Sequence, residues 1–590
     1  MGVIWVKEFT GGLDTRRLPE TTPPGVMIRA RDGHITRGGE FEKRAAFVPT
    51  YALPEGTIGL AQTRTGLVVF GHQTAPTMPA GVSYQRLQHP DGTTALAAVP
   101  SYDLYDGLIY AVGLFADGSI HHFYNGVRVE DWFDGRARAE FRVTGGVIGA
   151  APPPTSTLTN IVVDGVSIIS APVAWTGTVE GTAAAIAAEI NSAVSSPEYS
   201  ATAVGDRVNI ISTVAGSAAN GRVVTLTTAD GLTLSTLSTV LAGGADSDTS
   251  YTPGTFVRTI KSKMYSVAES LFHFSGIQQP TQWTPDVPGA GFINMATQNS
   301  GSEQLTAVAR YQNLVAIFSP EVVQIWFVDP DPELNVVSQV LSNTGTSCPL
   351  SVTQFGDSDL FYLDESGLRS LRARDSSNSA ATTDIGVPID DLLAAKLATL
   401  TLDERAQVTG LINPIDKRFW LIIKDEVYVF SFYQNAKVSA WTTYELASTV
   451  AGVKTPFEAQ QAVVWNRRVY LRSDDLIYAY GGVSAGLVYD QTEAEGWLPY
   501  FDATRPTAKK NWEGIDAAVT GLWEIRAATQ PTNLDTDEVI ANIYQTTYNQ
   551  HRIAYHHSSS HLSLRMTSKG TGPAVLSALA IHFEGGEDET

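Results

Sequence analysis

Hydrophobic and polar residues alternate in a series of short paired runs along this chain. Each pair consists of two stretches rich in Val, Ile, Leu and aromatic residues, joined by a short polar turn. This period of two predicts antiparallel strand–turn–strand units, and hence a mainly β protein. The units begin at residues 65, 107, 263, 313, 358, 417 and 467.

The spacing of these units predicts how they are arranged. The later ones start 50, 45, 59 and 50 residues apart, which is typical of the four-stranded blades of a β-propeller. One small sheet cannot bury both of its faces, whereas a ring of sheets buries them against one another. We therefore predict a propeller of six or seven blades. A run of unrelated antiparallel meanders is the alternative.

A segment of different composition separates the two groups of units. Residues 155–249 hold two aromatic residues and are dominated by small side chains. Within them Ile186, Ile190 and Val194 lie four residues apart, which predicts one face of a helix flanked by hairpins. We expect a small α+β module, inserted between blades, that folds on its own and lies outside the ring.

The two ends of the chain differ from the blades. Residues 1–50 carry a net charge of +2 and many turn signals, which predicts an arm with short strands. This arm is either a lid on the first blades or a segment that docks on another subunit. After residue 490, longer alternating strands predict an antiparallel sandwich. Residues 389–408 form the one persuasive helix outside the module. The predicted division is 1–50 arm, 51–154 first blades, 155–249 module, 250–490 remaining blades and 491–590 C-terminal β domain.

The charge of the chain narrows the classes of function. Among 590 residues, 40 Lys and Arg face 61 Asp and Glu, a formal net charge of −21. Ordinary nucleic-acid binders need a basic surface, so this chain is a poor candidate for one. It has no apolar run of about 18 residues, as a membrane span requires. Lys7 and Glu8 stand where a signal peptide has its apolar core, which indicates synthesis without secretion.

No residue pattern predicts a catalytic, cofactor-binding or metal site, and we do not expect an enzyme. Asp329, Asp331 and Glu333 resemble the start of a calcium loop, but the glycine and distal glutamate of that loop are missing. Four histidines near the C-terminus lack a carboxylate or cysteine to complete a zinc site; they are His551, His556, His557 and His561. A propeller glycosidase needs two carboxylates near the ring axis, which the sequence leaves open.

Several segments resemble the tail nozzle proteins of short-tailed bacteriophages, also called tail tubular protein B or tail stabilisation proteins. The likeness in blade style includes Gly356-Asp357 before the aromatic strand that begins at Leu360. The insert and the order of the domains are also similar to those of phage tail proteins. The resembling segments are Lys7–Val48, Leu305–Asp329, Leu341–Ala373 and His561–Phe583.

The resemblance implies a structural virion protein. Its family forms six-fold rings below a ring of adaptor proteins, continues the DNA channel, helps to retain and eject the genome, and seats tail fibres or a needle. It implies no catalytic residues, and a ring with an acidic lumen would let DNA pass without gripping it. A propeller that binds or hydrolyses carbohydrate is the alternative function.

Overall fold

The computed structural model describes residues 2–130, 135–149, 155–244, 253–284, 287–297, 304–373, 384–450, 452–548 and 552–585. The fold is mainly β, as predicted. Its first seven strands are β1 (Gly2–Val6), β2 (Gly12–Leu13), β3 (Val26–Met27), β4 (Arg29–Arg31), β5 (Gly33–Ile35), β6 (Phe41–Lys43) and β7 (Phe47–Ala52).

The first two blades follow these strands. In each blade the middle strand is the most buried, with all of β9 and most of β13 shielded from solvent. In blade 2, both β11 and β12 pair with β13, so its inner strand is broken in two. Blade 1 comprises β8 (Ile58–Gln62), β9 (Leu67–Gly71) and β10 (Val82–Arg86), and blade 2 comprises β11 (Leu96–Ala98), β12 (Tyr102–Tyr105), β13 (Leu108–Phe115), β14 (Ile120–Tyr124) and β15 (Val127–Arg128).

The inserted module has one helix and two small sheets. Helix α1 (Val179–Ser192) begins at Thr178, whose hydroxyl accepts a hydrogen bond from the Gly181 amide. Its Ile186 and Ile190 are buried as the pattern predicts, but Val194 lies beyond the helix and is 94% exposed. The strands are β16 (Arg136–Gly145), β17 (Thr157–Val163), β18 (Val166–Ser167), β19 (Val173–Ala174), β20 (Tyr199–Val204), β21 (Arg207–Ala215), β22 (Val224–Ala229) and β23 (Thr233–Thr236).

The predicted start of the module at residue 155 is wrong. Strand β16 precedes that boundary, yet it pairs with β21 on one side and β23 on the other. Its Ala139, Phe141 and Val143 are buried in the module's own core. Every residue of that core lies between Ala137 and Leu241, so the module's hydrophobic interior is separate from those of the blades.

Five more blades follow the module. A hairpin of β39 (Ala447–Val450) and β40 (Val453–Pro456) lies between the last two. The blades are blade 3 with β24 (Phe256–Ile260), β25 (Lys263–Ala268), β26 (Leu271–Phe274) and β27 (Gly291–Asn294); blade 4 with β28 (Ala307–Tyr311), β29 (Leu314–Phe318), β30 (Val322–Phe327) and β31 (Val336–Ser342); blade 5 with β32 (Thr353–Phe355), β33 (Asp359–Asp364) and β34 (Gly367–Ser370); blade 6 with β35 (Thr409–Ile412), β36 (Phe419–Ile423), β37 (Glu426–Tyr433) and β38 (Val438–Glu445); and blade 7 with β41 (Gln461–Trp465), β42 (Arg468–Ser473) and β43 (Leu476–Tyr480).

The helix predicted over residues 389–408 is two short helices. Helix α2 spans Asp390–Leu397 and helix α3 spans Leu402–Gln407. Thr401 separates them, because its hydroxyl accepts a hydrogen bond from the Glu404 amide while the Glu404 carboxylate accepts one from the Thr401 amide. This capping box starts a new helix where the pattern suggested a continuous one.

The blades form a closed ring. The inner strands lie side by side around it. β8 lies against β11 of the broken inner strand of blade 2, and its other half, β12, begins the series β24, β28, β32, β35 and β41, which returns to β8. The outer strand of blade 7 comes from the other end of the propeller, since β7 pairs with β43 from Phe47 opposite Tyr480 to Ala52 opposite Leu476. The predicted boundary at residue 50 therefore cuts through a strand of the last blade.

The C-terminal domain is built around one long strand. Strand β45 pairs with β49 and then β48 along one edge, and with β47 and then β46 along the other. Gly521 marks the change of partners with φ of +78°, a conformation that favours glycine. The strands are β44 (Glu495–Trp497), β45 (Lys510–Ala528), β46 (Glu538–Gln545), β47 (Ile553–Ser559), β48 (Ser563–Lys569) and β49 (Val575–Gly585).

The N-terminal arm belongs to this C-terminal domain, which neither of the two expectations anticipated. Strand β1 pairs with β49 from Gly2 opposite Phe583 to Val6 opposite Leu579. Strand β6 also pairs with β49, and β4 joins β44 to blade 6. One hydrophobic core accordingly includes Phe9 and Phe41 of the arm, Phe430 of blade 6 and Trp523 of the C-terminal domain.

A buried ion pair holds the junction of arm, blade 6 and C-terminal domain. Arg44 is fully buried, and its Nε donates to Asp32 Oδ1 at 2.6 Å. Its other nitrogens donate to the carbonyl of Ala447 at 3.2 Å and the hydroxyl of Thr492 at 3.3 Å. Asp32 Oδ1 also accepts from the Glu445 amide at 3.0 Å. The charges of Arg44 and Asp32 are thus paired and hydrogen-bonded in a region that is buried from water.

The boundary of the module is testable by deletion. Replacing residues 135–249 by a short Gly/Ser linker should leave the propeller folded, because loop closure costs only about 0.6 kcal/mol per doubling of length. Circular dichroism and thermal melting check this, with a midpoint shifted by a few degrees.

A deletion of residues 155–249 is the matched comparison. It leaves Phe141 and Val143 without the sheet that buries them, so we expect an aggregating product. An isolated 135–244 fragment should give a dispersed amide spectrum. An unfolded fragment would show that the module needs the blades for its stability.

Removal of the buried charge at the junction should be strongly destabilising. Arg44→Met removes the cation that is hydrogen-bonded to the buried Asp32 carboxylate and leaves it with the more distant Arg31, whose Nε is 3.9 Å from Oδ2. The variant should lower the free energy of unfolding by about 3–5 kcal/mol. The double variant with Asp32→Asn should cost less, because no charge remains buried. Urea unfolding followed by tryptophan fluorescence measures both.

Arg16→Met is the control for that experiment. Arg16 also pairs with an aspartate, Asp14, but its side chain is 41% exposed. Such surface pairs contribute about 1 kcal/mol or less. An Arg44→Met variant as stable as the Arg16→Met variant would show that the buried pair does not hold the junction.

Candidate functional site

The axis of the propeller encloses a cavity of about 500 Å³. The inner strand of every blade contributes to its lining. Each of these strands is short and contributes at least one polar residue to the lining, near the axis on which the blades converge. The polar lining residues include one from each blade, in order Gln62, Asp103, Arg258, Arg310, Gln354, Thr409 and Gln461.

The carboxylate of Asp103 is held by backbone amides. Its Oδ2 accepts from the Thr259 amide of blade 3 at 2.7 Å, and its Oδ1 accepts from the Leu104 amide at 2.8 Å. Both oxygens therefore have donors that are not arginines. Asp103 joins the inner strands of blades 2 and 3 at the edge of the cavity.

The two arginines of the lining have no acidic partner among the described residues. The Arg258 guanidinium lies 5.3 Å from the ring centre of Phe256 on its own strand. Arg310 Nε donates to the Gln312 carbonyl at 2.9 Å. The described lining thus carries two positive charges and one negative charge, within a protein of net charge −21.

Gln461 lines the cavity and ties two blades together. Its Nε2 donates to the Val99 carbonyl at 3.1 Å, which joins blade 7 to blade 2. Its Oε1 is buried and accepts no hydrogen bond from any described group. Because that oxygen is buried, it is not part of the accessible cavity surface.

Sequence reasoning did not single out these lining residues. Arg258 and Arg310 each stand inside a short apolar strand that precedes a predicted hairpin. One polar residue within each such strand was the available signal. The signal gains meaning only when the strands are known to converge on one axis.

The residues considered for metal binding do not converge in the described part of the chain. Asp329 and Asp331 belong to a turn in which the Asp331 amide donates to Asp329 Oδ1 at 3.0 Å. His556 is exposed beside Glu513, and His561 lies against Ser560. His551 lies outside the described residues. No group of three or more His, Cys, Asp or Glu is arranged to hold a metal within the described ranges.

A second feature is an exposed apolar surface on strand β1. Val3 and Trp5 are 39% and 52% exposed, whereas Val6 is buried. The Trp5 ring lies 6.2 Å from that of Tyr548, edge to face. In the described residues β1 pairs with β49 alone, so its second edge is open. We call Val3, Trp5 and Tyr548, with this open edge, the β1 surface.

None of the described helices is both long and apolar enough to cross a membrane. No protein-family model matches the chain, and no curated protein matches it.

The folds of solved structures are only weakly similar to that of this chain. They include an exo-β-1,3-galactanase from Phanerochaete chrysosporium, with 10% identity over 56% of this chain and 95% of that one at a TM-score of 0.20. The Pan2 WD40 domain of Neurospora crassa has 8% identity over 45% of this chain and 71% of that one at a TM-score of 0.23. These similarities support no inference about activity, and the propeller assignment follows from the ring of strand contacts.

Proposed function

We propose that this protein is a structural virion protein that forms the tail nozzle ring of a short-tailed bacteriophage. In this role copies of the chain, six by the resemblance, assemble below the portal and adaptor. The ring extends the DNA channel, helps to retain the genome and lets it pass at ejection. It also seats the tail fibres or needle.

The observation that carries the proposal is the β1 surface. A partly exposed tryptophan beside a tyrosine and an unpaired strand edge is costly to leave in water and is typical of a contact between proteins. The surface lies where the arm joins the C-terminal domain. It suits a contact between neighbouring copies in a ring.

The size of the axial cavity supports a channel formed between copies. A cube of that volume has a side of about 8 Å, which is less than the roughly 12 Å width of the major groove of DNA alone. A duplex therefore does not fit along the axis of one propeller. A conduit for DNA has to be lined by several copies around an assembly axis.

Charge supports the same function. At −21 the chain can present an acidic lumen, which repels phosphates and provides no counterion-release attraction. The carbohydrate alternative gains no comparable support. Its two-carboxylate mechanism is not matched by the described axial lining, where Asp103 is the one carboxylate and both of its oxygens are engaged.

Assembly into a ring is testable on the purified chain and on particles. Native mass spectrometry and electron microscopy should show a closed ring of several copies. Trp5→Asp should shift the population towards the monomer, because a charge would then lie in the apolar contact. Val194→Asp is the control, since Val194 is 94% exposed in the module. A monomeric wild-type chain that occurs once per virion would contradict the proposal.

The ring should also pass DNA without retaining it. In a mobility-shift experiment at about 150 mM salt, where the Debye length is about 8 Å, we expect no complex between the ring and duplex DNA. A basic DNA-binding protein of similar mass serves as the positive control. Tight, salt-sensitive binding would contradict an acidic lumen and leave the ring itself unaffected.

A further inference from the structure

The described lining of the axial cavity has a net positive charge, although the protein as a whole is acidic. Arg258 and Arg310 come from β24 and β28, which lie against each other in adjacent blades. Neither forms an ion pair with a described acid, and the carboxylate of Asp103 is taken up by amides of Thr259 and Leu104. Two guanidinium groups on neighbouring strands repel each other unless an anion lies between or beside them.

The stems of both arginines are partly fixed, which favours binding. Arg258 lies over Phe256, and Arg310 Nε is held by the Gln312 carbonyl. Their remaining N–H groups are in a fork geometry that matches carboxylate and phosphate oxygens. Fixed stems lose less conformational freedom when a ligand arrives.

The size of the cavity limits the ligand. The volume of about 500 Å³ lies in the range of small-molecule sites, about 300–1,000 Å³. A small molecule that carries one anionic group fits this space and pairs with the two arginines.

We propose that the axial cavity binds a small anion through a carboxylate or phosphate group. Arg258 and Arg310 contact the anionic group. The proposal concerns one copy of the chain and does not depend on the ring or on the nozzle function. Small carboxylates and phosphate esters are the chemical classes that fit.

Isothermal titration calorimetry on the full chain tests this site. The probes are citrate and glucose 6-phosphate, with glucose as the neutral control. We expect at least one anion to bind and glucose not to bind. Arg258→Gln and Arg310→Gln should each weaken binding tenfold or more. Failure of both anions to bind the wild-type chain would overturn the proposal.

Matched variants separate the cavity from general charge effects. Arg86→Gln removes an exposed arginine whose Nε donates to the His72 carbonyl at 2.9 Å, as Arg310 Nε does to Gln312. It should leave binding unchanged. Asp103→Asn removes the one negative charge of the described lining and should tighten binding severalfold, an effect that misfolding cannot produce. Equal losses of anion affinity in the Arg86→Gln and Arg310→Gln variants would overturn the proposal.

Circular dichroism and melting midpoints of all variants show whether each is folded.

Discussion

Closure of the propeller by strand β7 is the constraint on which the rest of the structure depends. Strand β7 precedes blade 1 in the chain and pairs with β43 of blade 7, so its hydrogen bonds join the first and last blades. This places the start of blade 1 beside blade 7 and brings the inner strands β8 and β41 together. The axial cavity, which needs all seven inner strands, exists because the ring is closed in this way.

The same closure fixes the position of the N-terminal arm. Arg44 lies three residues before β7, so the buried pair with Asp32 sits at the entry to the closing strand. From there β4 and β6 continue into the sheet of the C-terminal domain. Propeller and C-terminal domain are consequently joined through a shared hydrophobic core, and they are not connected merely by a linker.

The inserted module, in contrast, does not share a hydrophobic core with the propeller among the described residues. It has a hydrophobic core of its own, and the chain enters and leaves it between blades 2 and 3. On return, the Gly254 carbonyl accepts a hydrogen bond from His122 Nε2 of blade 2 at 2.7 Å. Burial lowers the pKa of His122 to about 3, so the ring is neutral and its Nδ1 can accept from the Tyr110 hydroxyl. Blades 2 and 3 thereby stay adjacent despite more than a hundred intervening residues.

The blades, and their number to within one, could be predicted from the sequence because each blade contains a hairpin of consecutive strands. The parallel pairing of β10 with β9 and the addition of β7 to blade 7 are not local in this way. All seven predicted hairpins lie in the seven blades, from the unit at Thr65 in blade 1 to the unit at Arg467 in blade 7. Alternation and turn residues act over a few positions, so they can be seen without knowing the fold. The face of helix α1 was visible for the same reason.

The pairing of distant segments is visible only in the folded protein. The period of two in β1, β7 and β16 shows that each is a strand, but any open sheet edge can accept a strand. Their partners are β49 of the C-terminal domain, β43 of blade 7 and β21 of the module, and each choice depends on which sheet edge the fold brings next to the strand. The axial residues cannot be identified from the sequence for a related reason. Arg258, Arg310 and Gln461 are far apart in the chain. Their common position in the cavity lining follows from the convergence of seven strands, which no local pattern indicates.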